Sequence, residues 1–481
     1  MARDDWAPLL DDLAARHAVV EAMGGPERLA QLAERRRLDV RTRIGSLVDP
    51  GSFVEYGALV GSVSRGALPI APADAFVMGH GTIEGRPVLV GAADPTVMGG
   101  SVGPGTLAKR RRLLALARLV RRPVVLLLDG PGLRTQHPND AVPGAVDELA
   151  ALAALATDTP VVAVALGPVA GHDALVAGCA NHVVMTRTAS IFGAGPPLVH
   201  ALTGLEVTAS ELGGAAVHAS GLADVVADDE ADALARARAH IVAGVAPEPA
   251  RDVPAASGSV LPAVLPADPD ATYDLAAVVA AVADPGTWVP AEGTGGGLVA
   301  GTIRLAGIEV LVLASDPSID DGRIDAAAAD DARRVLEGAP ATPVLVLVDS
   351  PGPTVGPEAE RAGGVRSLAR LLAASNTHAG PTLAVILRRA HGDVPTILGF
   401  ARPERRLLSI ALPGARLGPL PAETGSEAAG RSADLPALIE HTEFGGAVDA
   451  ADRLLVDRVV EPAQVRDDLI AALRLVAAVR V

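Results

Sequence analysis

The sequence predicts an α/β fold that is built twice in tandem, and three observations support this prediction. Short apolar runs that end in glycine turns alternate with helical patterns, which is typical of parallel sheets covered on both faces. Several segments recur later in the chain in nearly constant register, and a proline- and alanine-rich stretch separates the two copies. A chain of 481 residues exceeds one ordinary core and is long enough for two domains.

In the first copy, strands alternate with helices. The runs VVLLLD at 124–129 and VVAVAL at 161–166 have the length and the flanking turns of buried strands. Apolar residues recur with helical spacing in RRLLALARLV (111–120), VDELAALAALA (146–156) and EADALARARAHIV (230–242). Because ligands of open α/β sheets bind outside the carboxyl ends of the strands, we expect the functional site at the turns that follow them.

The second copy repeats this order about 220 residues later. The segment GTIEGRPVLV at 81 returns as GTIRLAGIEVLV at 301, a shift of 220. PVVLLLDGPGLR at 123 returns as PVLVLVDSPGPT at 343, again a shift of 220, and Pro160 matches Pro381 with a shift of 221. Matches in one register indicate that each half is a copy of the same domain.

The repeat also predicts the domain boundaries. We predict an N-terminal domain over 1–245 and a C-terminal domain over 289–481. Between them, 246–288 is predicted to be a linker that leads into the second domain, because it contains APEPARDVPAASGSVLPAVLPADPDA.

Composition excludes several classes of function. A net charge of −16 and an aromatic content of 2% argue against binding of nucleic acid. The apolar runs are far shorter than the ~20 residues of a membrane span. A single cysteine, Cys179, excludes an internal disulfide and a cysteine-based metal cluster, and we predict no metal site. Because the N-terminus also lacks the pattern of a signal peptide, the expected location is the cytoplasm.

Three short motifs carry little weight. Lys109 follows alanine, so it cannot belong to a phosphate-binding GxxxxGK loop. GAGPP at 193–197 begins like a dinucleotide-binding turn, but two prolines replace the start of the helix. GGSVG at 99–103 matches the G-x-S-x-G nucleophile pattern, although no strand leads directly into it, so Ser101 is kept only as an alternative nucleophile.

The glycine turns at the ends of buried strands are the stronger candidates. The first strand-end site comprises residues 130–133 and 170–172, and the second strand-end site comprises residues 350–353 and 391–394. Glycine allows a backbone to approach a ligand closely, and amides at the start of a helix suit a developing oxyanion such as a thioester enolate. Two such sites suit a reaction in which two carbonyl oxygens gain negative charge in turn.

The sequence resembles the carboxyltransferase (beta) subunit of biotin-dependent acyl-CoA carboxylases of the acetyl-/propionyl-CoA type. The resemblance runs through RTRIGSLVDPGSFVEYG from Arg41 and DAFVMGHGTIEGRPVLVGAADPTVMGGSVG from Asp74. It continues through LTGLEVTASELGGAAVHASGLADVVADDEADAL, VDSPGPTVGPEAERAGGVRSLARLL and VEPAQVRDDLIAALRLV. It therefore covers nearly the whole chain from about Arg41.

The resemblance implies a fold of tandem duplicated crotonase-like (ClpP/crotonase) domains and a mechanism. The first half would bind the acyl-CoA thioester and stabilise its enolate, and the second half would hold the biotin that delivers CO₂. No A/V-M-K-M biotin-attachment motif is present, so biotin and its carboxylase would reside on a partner chain. The family also implies a homo-oligomer, a hexamer or a dimer-based assembly, with sites between subunits.

The family's motifs assign site residues by position. Catalytic positions fall on Gly171, His172, Gly392 and Asp393. Acyl-CoA binding falls on Gly99, Gly100, Gly130, Gly132, Leu133 and Ala170, and biotin binding falls on Gly352, Pro353 and Val394. We add Lys109 and Arg110 as contacts of the CoA phosphates, because phosphates need cations and this basic cluster follows a glycine loop, although ERRRL at 34–38 competes with it.

This sequence departs from the family's pattern within those turns. The family's first Gly-Gly pair is Gly171 and His172 here, and its second G-G-A turn is Gly392-Asp393-Val394. The backbone amides of Gly171 and His172 are the first candidates for stabilising the developing oxyanion at this turn. Acid–base action of the His172 side chain, oriented by Asp173, is the alternative.

Two other functions remain open. The departures in the second turn favour a crotonase-type enzyme that has lost biotin use, such as an acyl-thioester decarboxylase. The other alternative is a non-catalytic subunit that pairs with an active paralogue.

Overall fold

The structure is a computed structural model that describes residues 5–63, 70–134, 145–219, 221–246, 260–420 and 446–476. The chain divides into two compact units. The first unit is Arg16–Arg251, and the second unit is Asp252–Val476 together with the N-terminal segment up to Ala15. The domain boundaries predicted from the sequence (1–245, 246–288 and 289–481) stay a prediction. In the structure, the described residues up to Ala15 are grouped with the second unit.

The first unit is built around an eight-stranded sheet. Its strands are β1 (Val54–Tyr56), β2 (Phe76–Ile83), β3 (Arg86–Ala93), β4 (Val124–Gly130), β5 (Val161–Ala170), β6 (His182–Thr186), β7 (Ser190–Phe192) and β8 (Val225–Ala227). They are ordered β1-β2-β3-β4-β5-β6-β8, with β7 paired to the end of β5. The pairs β1–β2 and β2–β3 are antiparallel, and the sheet is parallel from β3 onward.

Helices flank this sheet. After α1 (Ala7–Glu21) come α2 (Pro26–Glu34), α3 (Val40–Leu47), α4 (Pro104–Val120), α5 (Ala145–Leu155), α6 (His172–Cys179), α7 (Pro196–Thr203), α8 (Ala209–Gly213), α9 (Ala215–His218) and α10 (Glu230–Gly244). Every residue of β4 is buried, as expected for a strand covered on both faces. The helices predicted at 111–120, 146–156 and 230–242 correspond to α4, α5 and α10.

The second unit repeats the same sheet. Its strands are β9 (Val289–Pro290), β10 (Leu298–Leu305), β11 (Ile308–Ser315), β12 (Val344–Ser350), β13 (Thr382–His391), β14 (Arg406–Ala411), β15 (Arg416–Gly418) and β16 (Arg458–Val459). The order is β9-β10-β11-β12-β13-β14-β16, with β15 paired to β13. Read from its first strand, this is the topology of the first unit, so the predicted duplication of an α/β domain is confirmed.

The second unit also has its own helices. They are α11 (Leu261–Val264), α12 (Leu275–Val282), α13 (Ala326–Gly338), α14 (Pro357–Arg361), α15 (Gly364–Thr377), α16 (Val394–Ile397), α17 (Gly446–Asp452) and α18 (Val465–Val476). Part of the segment predicted as a linker is therefore structured, because α11 and α12 lie in it and α12 buries Leu275, Val278 and Val282. Residues 247–259 of that linker lie outside the described residues.

One irregularity positions the strand-end sites. The pairing of β4 with β5 shifts register between Leu128 and Gly130, and the pairing of β12 with β13 shifts between Val348 and Ser350. A bulge of this kind bends the strand and redirects the residues that follow it. Both units therefore redirect the chain at the same point, immediately before the turns that the sequence singles out.

Two kinds of feature are absent from the residues that the structure describes. None of the helices described is long and apolar enough to cross a membrane. In the same ranges, no group of three or more His, Cys, Asp or Glu side chains could hold a metal ion.

Candidate active site

The first strand-end site forms where β4 and β5, which are parallel neighbours, end at the same edge of the sheet. Gly132 has a φ of +83°, and a Cβ atom placed on it would lie 2.4 Å from the carbonyl oxygen of Ala170. The same hypothetical atom would lie 3.2 Å from the amide nitrogen of His172. The two turns therefore approach each other so closely that only glycine is accommodated at position 132.

Two backbone amides are available at this edge. His172 is the first residue of α6, where an amide has no partner within the helix. Neither the His172 amide nor the Gly132 amide donates a hydrogen bond to any residue that the structure describes. Two adjacent donors beside the positive end of a helix can stabilise a negatively charged oxygen.

Gly171 has a different role from the one expected. Its amide donates to the carbonyl oxygen of Phe192 at 3.0 Å, which extends the pairing of β5 with β7. Its φ of +58° turns the chain from the strand into α6. The expectation that the Gly171 amide binds substrate is therefore wrong, because that donor is already used, and Gly132 takes its place beside His172.

The other glycines of the first unit shape the surrounding loops. Gly100 has a φ of +73°, and a Cβ there would lie 2.2 Å from the carbonyl oxygen of Asp129, at the end of β4. Gly130 makes the reciprocal close approach to the carbonyl of Gly100, whereas Gly99 is exposed. Leu133 forms a parallel bridge with Val102. These residues hold the β3 and β4 loops together at the strand ends.

Ser101 is not arranged as a nucleophile. It follows a 3-10 turn at Met98–Gly100 rather than a strand. Its hydroxyl donates to the carbonyl oxygen of Met98 at 2.7 Å and accepts from Arg134 Nε at 3.1 Å. No imidazole among the described residues bonds to this hydroxyl, so the general base that a serine nucleophile requires is absent from these contacts.

The side chain of His172 makes a contact that the sequence did not predict. Its Nε2 lies 2.7 Å from Oε2 of Glu148, a residue of α5, and both side chains are buried. Asp173 does not orient the imidazole, because its Oδ1 binds Nη1 of Arg110 at 2.6 Å instead. The expected pairing of His172 with Asp173 is therefore replaced by a pairing with Glu148.

Arg110 connects the two carboxylates. Besides Asp173, its Nη1 lies 3.5 Å from Oε1 of Glu148, and its guanidinium group stacks over Phe76 at 4.9 Å. Burial alone would raise the pKa of Glu148, but the charge of Arg110 and the hydrogen bond from His172 lower it below its ordinary value. Glu148 is thus held as a carboxylate in the interior.

Lys109 and Arg110 are not surface cations, contrary to the expectation that they meet CoA phosphates. Lys109 is fully buried, and its Nζ donates to the carbonyl oxygens of Ala73 and Phe76. Burial lowers the pKa of Lys109 to about 8. Arg110 is also buried, and its charge is neutralised by the two carboxylates. Buried side chains with protein partners cannot serve as phosphate contacts, so both residues support the fold.

The second strand-end site has related geometry and different donors. Gly392 has a φ of +60°, and its amide donates to the carbonyl oxygen of Gly418 at 2.9 Å, as Gly171 does in the first unit. The Gly392 amide is therefore also excluded as a ligand donor. Asp393 is exposed, and its amide donates to no described residue.

A hydroxyl group distinguishes the second site from the first. Ser350 Oγ lies 3.2 Å from both the amide nitrogen and the carbonyl oxygen of Gly352, so that amide already has an acceptor. The corresponding residue of the first unit is Gly130, which has no side chain and leaves the Gly132 amide unpaired. Pro353 bridges to Ile324, and Val394 is buried at the start of α16.

A buried ion pair supports the end of the central strand in each unit. Asp129 binds Arg43 at 2.8 Å and also binds Arg37. Asp349 binds Arg388 at 2.7 Å and Arg389 at 2.8 Å. Loss of one partner of such a pair would leave an uncompensated charge, so these residues fix the strand ends on which the turns are built.

Glu148 is the residue of this site that sequence reasoning missed. It occupies the buried face of α5 together with Leu152 and Leu155, at spacings of four and three residues. A carboxylate in the register of the core residues was the available signal. The spacing of the apolar residues in α5 does not by itself reveal that Glu148 is buried with them.

Comparison with known proteins places the chain in a family. Residues 32–481 match the family described as "Carboxyl transferase domain". The chain is 30% identical to the methylmalonyl-CoA carboxyltransferase 12S subunit of Propionibacterium freudenreichii subsp. shermanii, covering 98% of this chain and 94% of that protein. It is also 30% identical to the methylmalonyl-CoA decarboxylase subunit alpha of Veillonella parvula, covering 96% and 94%.

Two further similarities agree with this assignment. The biotin-dependent acetyl-/propionyl-coenzyme A carboxylase beta5 subunit of Mycobacterium tuberculosis is 29% identical over 94% of this chain and 89% of its own length. Among solved structures, the beta subunit of geranyl-CoA carboxylase from P. aeruginosa superimposes with a TM-score of 0.86 at 24% identity, covering 99% of this chain and 94% of that one, which supports the fold. The expected family is confirmed: the chain belongs to the carboxyl transferase family.

Proposed function

We propose that this carboxyltransferase moves a carboxyl group from carboxybiotin to an acyl-CoA thioester through an enolate. The observation that carries the proposal is the pair of unpaired amides, Gly132 and His172, at the edge of the first sheet. A thioester carbonyl oxygen that accepts both hydrogen bonds would be stabilised as it gains charge, because the donors are already oriented. The α-carbon would lose its proton to the ureido nitrogen that release of CO₂ frees on biotin. The enolate carbon would then attack CO₂, forming the new carbon–carbon bond.

The substrate class is supported by the names of the relatives, which include methylmalonyl-CoA, propionyl-CoA and acetyl-CoA enzymes. Within the first unit we assign acyl-CoA contacts to the turn residues Gly99, Gly100, Gly130, Gly132, Leu133 and Ala170. The Gly171 and Gly392 backbones shape the turns rather than bind ligands. The former candidates Lys109 and Arg110 are removed from the set.

Biotin is the group that would supply the carboxyl at the second strand-end site. The exposed turn at Gly392 and Asp393 leaves the Asp393 amide without a described partner, so one donor is available for a ureido oxygen. Pro353 and Val394 would line that position, with Gly352 beside them. The carboxylate of Asp393 would have to point away from a developing negative charge.

The remaining features of the proposal follow from the family. Because the chain has no attachment motif, biotin would be carried by a partner chain that also includes a biotin carboxylase. We propose a cytoplasmic homo-oligomer, hexameric or dimer-based, that provides the sites between its subunits.

Carboxylation of an acyl-CoA panel by the purified chain, with and without a biotinylated carboxylase partner, tests this proposal. We expect product only with the partner. Calorimetric titrations with each acyl-CoA and with free biotin, performed separately, assign binding to the two sites. A chain that binds neither an acyl-CoA nor biotin would contradict the proposal.

A second function is favoured by the Ser350 hydroxyl. Because it occupies the Gly352 amide, the second strand-end site has fewer available donors than the first. An acyl-thioester decarboxylase needs only the first site, and one relative is named as a decarboxylase subunit. Release of CO₂ from a malonyl-type thioester by the isolated chain, with no biotin present, would favour this alternative.

A further inference from the structure

A cleft lies between α13 and α15 of the second unit. Its volume is about 620 Å³, within the range of about 300–1,000 Å³ that is typical of small-molecule sites. Its walls are the C-terminal halves of the two helices, which precede β12 and β13, whereas the second strand-end site follows those strands. The α13–α15 cleft is defined here by its lining residues Arg333, Leu336, Glu337, Pro340, Arg370 and Ala373.

Part of the lining is apolar. Leu336 is buried, whereas Pro340 and Ala373 are exposed to solvent. The short side chain of Ala373 leaves space between the helices that a longer side chain would fill. A ligand with an apolar chain would remove this carbon surface from water, which is favourable.

Two arginines line the cleft, but only one of them lacks a partner. Arg333 Nη1 lies 2.6 Å from Oε2 of Glu337, and its Nε lies 3.5 Å from Oδ1 of Asp330. The charges of Arg333 and Glu337 therefore compensate each other. Arg370 is exposed, and its guanidinium has no ion pair or hydrogen bond with any residue in the described part of the chain. The cleft thus presents one uncompensated positive charge.

The position of Arg370 suits an oxyanion. It lies about two turns before the end of α15, so it is separated from the unpaired carbonyls at the negative end of that helix. Arg366, one turn earlier, is also exposed without a described partner and makes the local potential more positive. A guanidinium group can bind a carboxylate or a phosphate through two parallel hydrogen bonds.

We infer that the α13–α15 cleft binds an organic oxyanion, a carboxylate or a phosphate that carries a short apolar chain. The anionic group pairs with Arg370, and the chain lies against Leu336, Pro340 and Ala373. This ligand is separate from the acyl-CoA and the biotin of the proposed function, so the inference does not rest on that function.

The cleft shares a wall with the support of the second strand-end site. Ser375 Oγ of α15 donates to the carbonyl oxygen of Ile397 at 2.7 Å. The neighbouring Asn376 Nδ2 donates to the carbonyl oxygen of Thr396 at 3.0 Å. Both acceptors belong to α16, which begins directly after Asp393. A ligand that stabilises α15 would therefore also stabilise α16.

NMR titrations of the full chain with hexanoate, hexyl phosphate, hexanol and hexylammonium, at constant ionic strength, test the inference. The probes share one apolar chain and differ in the head group. We expect both anions to bind with about millimolar affinity. Hexanol and hexylammonium should bind at least about tenfold more weakly, because they cannot accept charge-assisted hydrogen bonds from Arg370. Tighter binding of one anion than of the other identifies the preferred head group.

Three variants assign the binding to the cleft. Arg370→Gln should weaken both anions at least about tenfold and leave hexanol unchanged. Ala373→Leu fills the cleft and should weaken both anions, while the fold persists because leucine is a good helix former at an exposed position. Arg366→Gln is the matched control, since it removes the same charge from α15 outside the lining. It should retain the affinity within about twofold, because that charge is screened.

Hydrogen exchange with and without hexanoate locates the bound anion. We expect increased protection in α13, α15 and α16. Protection confined to α6 would place the anion at the first strand-end site and overturn the inference. Failure of both anions to bind, equal binding of hexanol and hexanoate, or unchanged binding by Arg370→Gln would also overturn it. If protection of α13 and α15 rises with protein concentration and no probe binds, a second copy of the chain covers the cleft and the inference is wrong.

Discussion

At the scale of single residues, Gly132 makes the first strand-end site possible. We predict that Gly132→Ala abolishes measurable acyl-CoA binding, because the new Cβ would collide with the Ala170 carbonyl at 2.4 Å and displace the two amides. Calorimetric titration with an acyl-CoA measures this loss.

A matched variant separates the collision from backbone strain. Gly204 has a similar φ of +74°, but a Cβ there would meet no atom within 4 Å. Gly204→Ala should therefore cost about 1 kcal/mol of stability from its left-handed conformation and leave binding intact. Equal binding by Gly132→Ala and the wild type would contradict the role of the close approach.

The sequence predicted where the turns of this site lie, but not which of their backbone amides are available to a ligand. The D-x-P-G turns and the turn at His172 were recognisable because glycine follows an apolar strand at both points. Which amides remain available was not predictable, because the Gly171 amide is used by Phe192 of a strand that lies about twenty residues further along the chain. Hydrogen bonds between distant segments leave no local pattern.

At the scale of elements, Lys109 joins α4 to the turn that precedes β2. Its Nζ binds the carbonyls of Ala73 and Phe76, on either side of Asp74 and Ala75, whose φ values are +44° and +61°. A left-handed backbone at residues other than glycine is unfavourable and requires support. The single lysine of the chain provides part of that support from inside the fold.

We predict that this contact makes stability depend on pH. Burial lowers the Lys109 pKa from 10.5 to about 8, so between these values the unfolded chain binds a proton that the folded chain does not. Stability must therefore rise with pH across this window, by up to about 3 kcal/mol. The neutral amine still has two N–H groups for the two carbonyls.

Urea unfolding of the wild type and Lys109→Met from pH 7 to 10.5 measures the effect. The wild type should become more stable relative to the variant as the pH rises from about 8. Subtracting the unfolding free energy of the variant from that of the wild type removes the contributions of tyrosine and cysteine, which both proteins share. A difference that is constant across this range would refute the lowered pKa.

The same helix illustrates what the sequence obscured. The run KRRR at 109–112 predicts a cluster of cations at the surface. In the structure, Lys109, Arg110 and Arg112 belong to the buried face of α4 and only Arg111 is exposed. Charged residues are rarely buried without partners, and the partners of Lys109 and Arg110 lie on other elements. Residue type alone therefore predicts that these cations lie on the exposed side of the helix.

At the scale of the whole molecule, the repeat of about 220 residues was sufficient to predict that both units share one sheet topology. It did not predict how each unit stabilises its strand end. In the first unit, Arg37 and Arg43 from the N-terminal helical region reach Asp129. In the second, Arg388 of the neighbouring strand reaches Asp349.

The difference has a steric basis. Arg388 corresponds in the repeat to Gly167, and a Cβ on Gly167 would lie 2.2 Å from the Asp129 carboxylate and 2.5 Å from Arg37. The first unit thus needs glycine there to admit arginines from elsewhere. Duplicated domains conserve the path of the chain more closely than the contacts that hold it.

The grouping of the N-terminal segment with the second unit leads to the last prediction. Trp6 is 2% exposed, and its Nε1 donates to the carbonyl oxygen of Leu265 at 3.2 Å. Trp6→Ala removes a large buried side chain and should destabilise the second unit by about 3–5 kcal/mol. Hydrogen exchange should then lose protection in β12 and retain it in β4.

Leu32→Ala provides the reciprocal control, because Leu32 is 7% exposed on α2 of the first unit. It should reduce the protection of β4 and leave that of β12 unchanged. If Trp6→Ala affects only β12 and Leu32→Ala affects only β4, residues 5–15 fold with the second unit. If Trp6→Ala instead reduces the protection of β4, these residues belong to the first unit. The reason is that removing a buried side chain destabilises the unit in which that side chain is packed.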